Sequence, residues 1–171
     1  MLTALRGARG VTLMPHHATV RLAEMLSQRR WRGCLIEPTE LTQTPAAYRL
    51  ATDALALAPH RAFADRSLLL EGDAQVLALL AARPTADPAR VTKAVLGAVT
   101  GPGSEHLIEG LDAYLQTGSA AEGAATLRLH PQTMRYRLRR LVTLTGRDPR
   151  RPWDRFILET ARTTPTAGAP R

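Results

Sequence analysis

The pattern of apolar and polar positions changes character along the chain. Near the N-terminus, short β-prone runs at residues 11–14 and 34–36 flank a helical pattern at Val20, Leu22, Ala23 and Leu26. That order and spacing predict a small βαβ unit. Residues 45–58 place Tyr48, Ala51, Leu55 and Ala58 on one stripe, predicting an amphipathic helix that stops before Pro59, and an edge strand is expected at 61–64. From Asp65 onward the period is helical. Residues 68–82 are rich in Leu and Ala and stop at Pro84, and Asp87-Pro88 supplies a cap and a first-turn proline for a helix over 88–99. Thr100-Gly-Pro-Gly103 then breaks the chain.

Past that break four helices can be written. The first, 104–117, aligns Leu107, Ile108, Leu111, Tyr114 and Leu115 and is closed by Gly118. The second starts at Ser119, which forms an S-x-x-E capping box with Glu122, worth about 1 kcal/mol, and it runs to about Leu127. Its Ala120, Ala121, Gly123, Ala124 and Ala125 leave it nearly bare, so a neighbouring helix can approach closely. The short link Arg128-Leu129-His130 leads to Pro131, the first-turn residue of a third helix ending at Gly146. In the fourth, Trp153, Phe156, Ile157 and Ala161 share an inward face.

The expected fold is mainly α: a partial α/β region over 1–64, a helical connector over 65–103, a helix-turn-helix domain over 104–162 and a disordered tail over 163–171. Composition agrees. Ala (28) and Leu (26) dominate the 171 residues while aromatics are 4%, which favours helices with small-residue contacts over sheets. Cys34 is the single cysteine, excluding an internal disulfide framework and zinc fingers and suiting a reducing compartment. No apolar run is long enough to span a bilayer, so a cytoplasmic protein without membrane contact is expected.

Charge singles out one segment. The formal net charge is +8, and residues 128–151 hold eight Arg against one acid, Asp148. Two helices joined by a short turn, the first small-faced and the second basic, form the helix-turn-helix arrangement. At ~100° per residue, Met134, Leu138, Leu141, Val142 and Thr145 gather on the core side of the third helix. Gln132, Thr133, Tyr136, Arg139 and Arg140 lie opposite, with Arg135 and Arg137 flanking the core stripe. An Arg-rich face is more often merely solvated. Here it directly follows a capped, small-residue helix and a short turn, so the positive charge lies where phosphate must lie. Arg pairs bidentately with guanine, Gln with adenine, and Thr or Tyr hydroxyls with phosphate.

These residues resemble a known family. His106-Leu-Ile-Glu-Gly-Leu-Asp-Ala-Tyr-Leu115, the capped Ala-rich helix, the Thr133–Arg140 run T-M-R-Y-R-L-R-R and the trailing Leu144-Thr-Gly-Arg-Asp148 are similar to the C-terminal helix-turn-helix of PucR/CdaR bacterial transcription regulators. The resemblance implies that Thr133, Arg135, Tyr136 and Arg137 contact the operator, with Arg139 and Arg140 on the DNA backbone. Arg128 departs from the pattern, standing where helix-turn-helix proteins often use Gly. Residues 33–58 resemble, more weakly, the end of the degenerate GGDEF-like domain of such regulators, and 66–99 their helical connector. No G-G-[DE]-E-F run occurs, so cyclase chemistry is not supported.

Other candidates are weaker. His16-His17 has no metal-spaced partner and reads as a loop pair. Cys34 reads as a buried, inert thiol. His130 suits either a helix cap or a phosphate contact. The expectation is a non-enzymatic, sequence-specific regulator of double-stranded DNA, homodimeric, without cofactor or metal and with an effector that the sequence does not name. The alternative is a protein-interaction adaptor whose helix-turn-helix no longer binds a specific operator.

Overall fold

The computed structural model describes residues 2–6, 9–14, 19–37 and 40–165. The chain is mainly helical. Its elements run β1 (Leu2–Arg6), β2 (Arg9–Leu13), α1 (Thr19–Gln28), β3 (Gly33–Cys34), α2 (Thr44–Leu57), β4 (Leu68–Leu69), α3 (Glu71–Leu80), α4 (Pro88–Leu96), α5 (Glu105–Thr117), α6 (Ala120–Thr126), α7 (Pro131–Thr145) and α8 (Pro152–Thr163).

The strand–helix–strand order expected at the N-terminus is present, but it is not a βαβ unit. β2 pairs antiparallel with β1, in register from Leu2 opposite Leu13 to Arg6 opposite Arg9, with Thr3 and Thr12 hydroxyls 3.3 Å apart. β3 instead pairs in parallel with β4, flanked by Gly33 N–H to Ser67 O (2.9 Å) and Leu35 N–H to Leu69 O (2.8 Å). Local patterning marks a strand but does not choose its partner. The edge strand expected at 61–64 is a 3₁₀ turn, His60–Phe63, that buries Ala62; the strand comes later, at Leu68–Leu69. α3 starts at Glu71 because the Asp73 carboxylate accepts the Leu70 N–H at 2.7 Å, leaving residues 68 and 69 extended. His16-His17 and the end of the expected tail lie outside the described residues.

Downstream, local signals set the helix ends. The Asp87 side chain accepts the Ala89 N–H at 3.0 Å and Pro88 opens α4, which ends in a 3₁₀ turn, Gly97–Val99. Gly118 and Gly146, with φ of 72° and 68°, close α5 and α7 in the left-handed region that favours glycine. α2 packs on α3, α3 on α4, and both α3 and α4 on α8. One core runs through all of it. Leu50, Ala54, Leu69, Val76, Val91 and Leu96 form a single cluster with Leu107, Leu111, Leu141, Trp153 and Ile157, so the Thr100–Gly103 break interrupts the chain but not the core. A second, smaller cluster of Ala113, Tyr114, Ala124, Met134 and Leu138 sits among α5, α6 and α7. Cys34 packs against the main core, and burial, with Asp73 and Glu71 nearby, pushes its thiol up to about 12. It is protonated at neutral pH and a poor nucleophile.

Candidate nucleic-acid interface

α5, α6 and α7 each pack on the other two. α6 begins with the Ser119 hydroxyl accepting the Glu122 N–H at 3.4 Å. Gly123 lets the helices approach closely: a β-carbon there would lie 2.9 Å from Met134 Cε and 3.3 Å from the Ala113 carbonyl. His130 is the N-cap of α7, its Nδ1 accepting the Gln132 N–H at 3.2 Å, so of its two suggested roles the cap is the one observed.

α7 divides as its periodicity predicts. Met134, Leu138 and Leu141 are buried, while Gln132, Thr133, Arg135, Tyr136, Arg139 and Arg140 are exposed, Tyr136 by 58%. Six of the seven expected contact residues therefore share an open surface. Arg137 stands apart. Its Nη1 donates to the His106 carbonyl at 3.0 Å and to Glu109 Oε2 at 3.4 Å, tying α7 to α5. Its place beside the core stripe was the sequence signal for this contact.

The arginines of residues 128–162 fall into two groups. Arg137, Arg147, Arg150, Arg151, Arg155 and Arg162 are each paired with a carboxylate. Among the described residues, the side chains of Arg128, Arg135, Arg139 and Arg140 have no such partner, and all four are exposed. Between Glu122 and Asp148 the chain contains no acid at all. The positive charge on this side of α7 is therefore uncompensated among the described residues, which is the electrostatic requirement for holding an anion.

The end of α7 is anchored by a buried ionic cluster that sequence reading did not find. Arg147 is 1% exposed, and its Nη1 lies 2.9 Å from Asp73 Oδ1 of α3 and 3.5 Å from Asp154 Oδ1 of α8. Asp73 Oδ1 also accepts the Trp153 indole N–H at 3.0 Å. Asp154 Oδ2 accepts from Arg66 Nη2 (2.9 Å) and from the Asp148 N–H (3.1 Å). Glycine at 72 makes room: a β-carbon would lie 2.7 Å from Val95 Cγ2 and 3.0 Å from Arg147 Nη2. Thr145 adds a hydroxyl that accepts the Arg147 N–H at 3.2 Å. The Thr145–Asp148 segment thus fixes α7 against α3 and α8.

Known proteins are similar to this chain over the same region. Residues 107–163 match the PucR C-terminal helix-turn-helix domain. Uncharacterized proteins of Mycobacterium bovis and Mycobacterium tuberculosis are 53% identical over 58 residues, which is 33% of this chain but only 14% of each relative. The crystal structure of the regulator of polyketide synthase expression from Bifidobacterium adolescentis superposes with a TM-score of 0.58 and 26% identity, over 70% of this chain and 49% of that one. At 70% of the chain, the structural likeness extends beyond the matched helix-turn-helix residues. Residues 107–163 are therefore a helix-turn-helix domain of the PucR C-terminal family, and the helices upstream of it share its core.

Proposed function

We propose that this chain regulates transcription by binding a specific double-stranded DNA site, with the exposed face of α7 in the major groove. The observation that carries the reading is the coincidence of charge and exposure: Arg135, Arg139 and Arg140 stand free of carboxylates beside exposed Gln132, Thr133 and Tyr136. In this reading Arg135 and Gln132, near the N-terminal end of the helix, read base edges, with Thr133 and Tyr136 beside them, while Arg139 and Arg140, further along, hold phosphates. Arg137 positions α7 on α5 and stays out of the groove. Two copies on adjacent half-sites are expected, since helix-turn-helix proteins read the two arms of a palindrome as dimers.

The test is the salt dependence of binding. Each neutralised phosphate steepens the fall of log K with log salt by roughly 0.9. Arg139→Ala and Arg140→Ala should each flatten that slope by about this amount on every duplex. Arg137→Ala should leave it unchanged. Slopes untouched by the Arg139 and Arg140 variants would remove the phosphate assignment.

A further inference from the structure

Three helices of the DNA-binding region end in a left-handed residue. α5 and α7 use Gly118 and Gly146; α6 uses Arg128, with φ of 54°. A residue with a β-carbon is strained in that region, and glycine is not. The helix end itself is well formed: the Arg128 N–H donates to the Ala125 carbonyl at 3.0 Å and the Leu129 N–H to the Ala124 carbonyl at 2.8 Å. The flanking Leu127 and Leu129 both pack into the small cluster among α5, α6 and α7. The side chain between them is thrown outward, exposed and without a carboxylate partner, three residues before Pro131 opens α7. The backbone would be served better by glycine, and no hydrogen bond or ion pair among the described residues uses the guanidinium.

We propose that Arg128 is a phosphate-binding residue, extending the DNA contact surface from α7 onto the turn between α6 and α7. This rests on the DNA-binding reading above. Its guanidinium adds a fourth uncompensated charge to those of Arg135, Arg139 and Arg140, at the N-terminal end of α7 where the residues assigned to base edges lie.

Strain and charge make opposite demands on this position, so stability and binding separate in the test. The full chain, Arg128→Gly, Arg128→Asn, Arg128→Lys and Arg139→Ala are compared for Tm and for the salt slope of binding to a mixed-sequence duplex several helical turns long. Removing the charge should flatten the slope by about 0.9 in both the Gly and Asn variants, while Lys retains it. The Tm of the Gly variant should be unchanged or raised by up to about 4 °C, because the strain is relieved. A Gly variant with lowered Tm and unaltered slope would make Arg128 a helix-end residue only and overturn the proposal. If Arg139→Ala flattens the slope and both Arg128→Gly and Arg128→Asn do not, the proposal fails while the DNA-binding reading stands. If the parent chain shows no salt-dependent binding, both fall together.

Discussion

The two sides of α7 use the same side chain for opposite ends. Just past its C-terminus Arg147 is enclosed between Asp73 and Asp154, while on the outer face Arg135, Arg139 and Arg140 stand in solvent with nothing to balance them. Burial decides the difference. A desolvated guanidinium is tolerable only where carboxylates and hydrogen bonds replace water, and there it fixes one element against another. An exposed one adds almost nothing to folding. The buried cluster therefore holds the helix in place, and the outer face is left free to bind.

Breaking the buried side should have the largest effect. Asp73→Ala takes from Arg147 the nearer of its two carboxylates and leaves the Trp153 indole N–H and the Leu70 N–H without their acceptor, and should lower stability by about 3–5 kcal/mol, measured by urea unfolding. A loss below about 1 kcal/mol would show that the cluster does not anchor α7. Gly123→Val comes next. It forces branched carbons against the Ala113 backbone and should cost about 1–3 kcal/mol in the same assay. On the outer face Arg139→Ala should change stability by no more than about 0.5 kcal/mol, and a larger change would erase the contrast between the two sides.

A second small effect concerns Asp148. Its carboxyl is held below the usual carboxylate range, chiefly by the side-chain hydrogen bonds from Arg150. Because the folded value is depressed, the stabilisation is present above the unfolded value near pH 4 and is lost as pH falls through the folded one. Asp148→Asn should therefore cost less than about 1 kcal/mol at neutral pH, and the difference from the parent should shrink below about pH 4. A difference that stays constant across that range would mean the Arg150 pair contributes nothing through charge.

What the sequence disclosed was local. Ser119, Asp87, Pro131, Gly118 and Gly146 act within one turn of themselves, so the helix ends and the inner and outer faces of α7 could be read from spacing alone. Partners distant in the chain could not. Asp73 is 74 positions from Arg147, and β3 finds its parallel partner only after α2 has intervened, so neither the buried cluster nor the strand pairing leaves a mark in periodicity. Arg137 lies between the two cases. The helical wheel placed it beside the core stripe, and only the position of α5 shows that His106 and Glu109 engage it. The shared core across Thr100–Gly103 was hidden for a related reason: Gly and Pro report a chain break, and packing ignores it.

The claim that the outer face of α7 reads DNA is tested most directly by selecting bound fragments from a random duplex pool, with the parent chain and with Arg135→Ala. The parent should enrich one sequence, and the variant should accept other bases at one position of each half-site, at a cost of about 1–3 kcal/mol on the selected site. Enrichment of an identical sequence with unchanged affinity by the variant, or no enrichment by the parent at all, would contradict it.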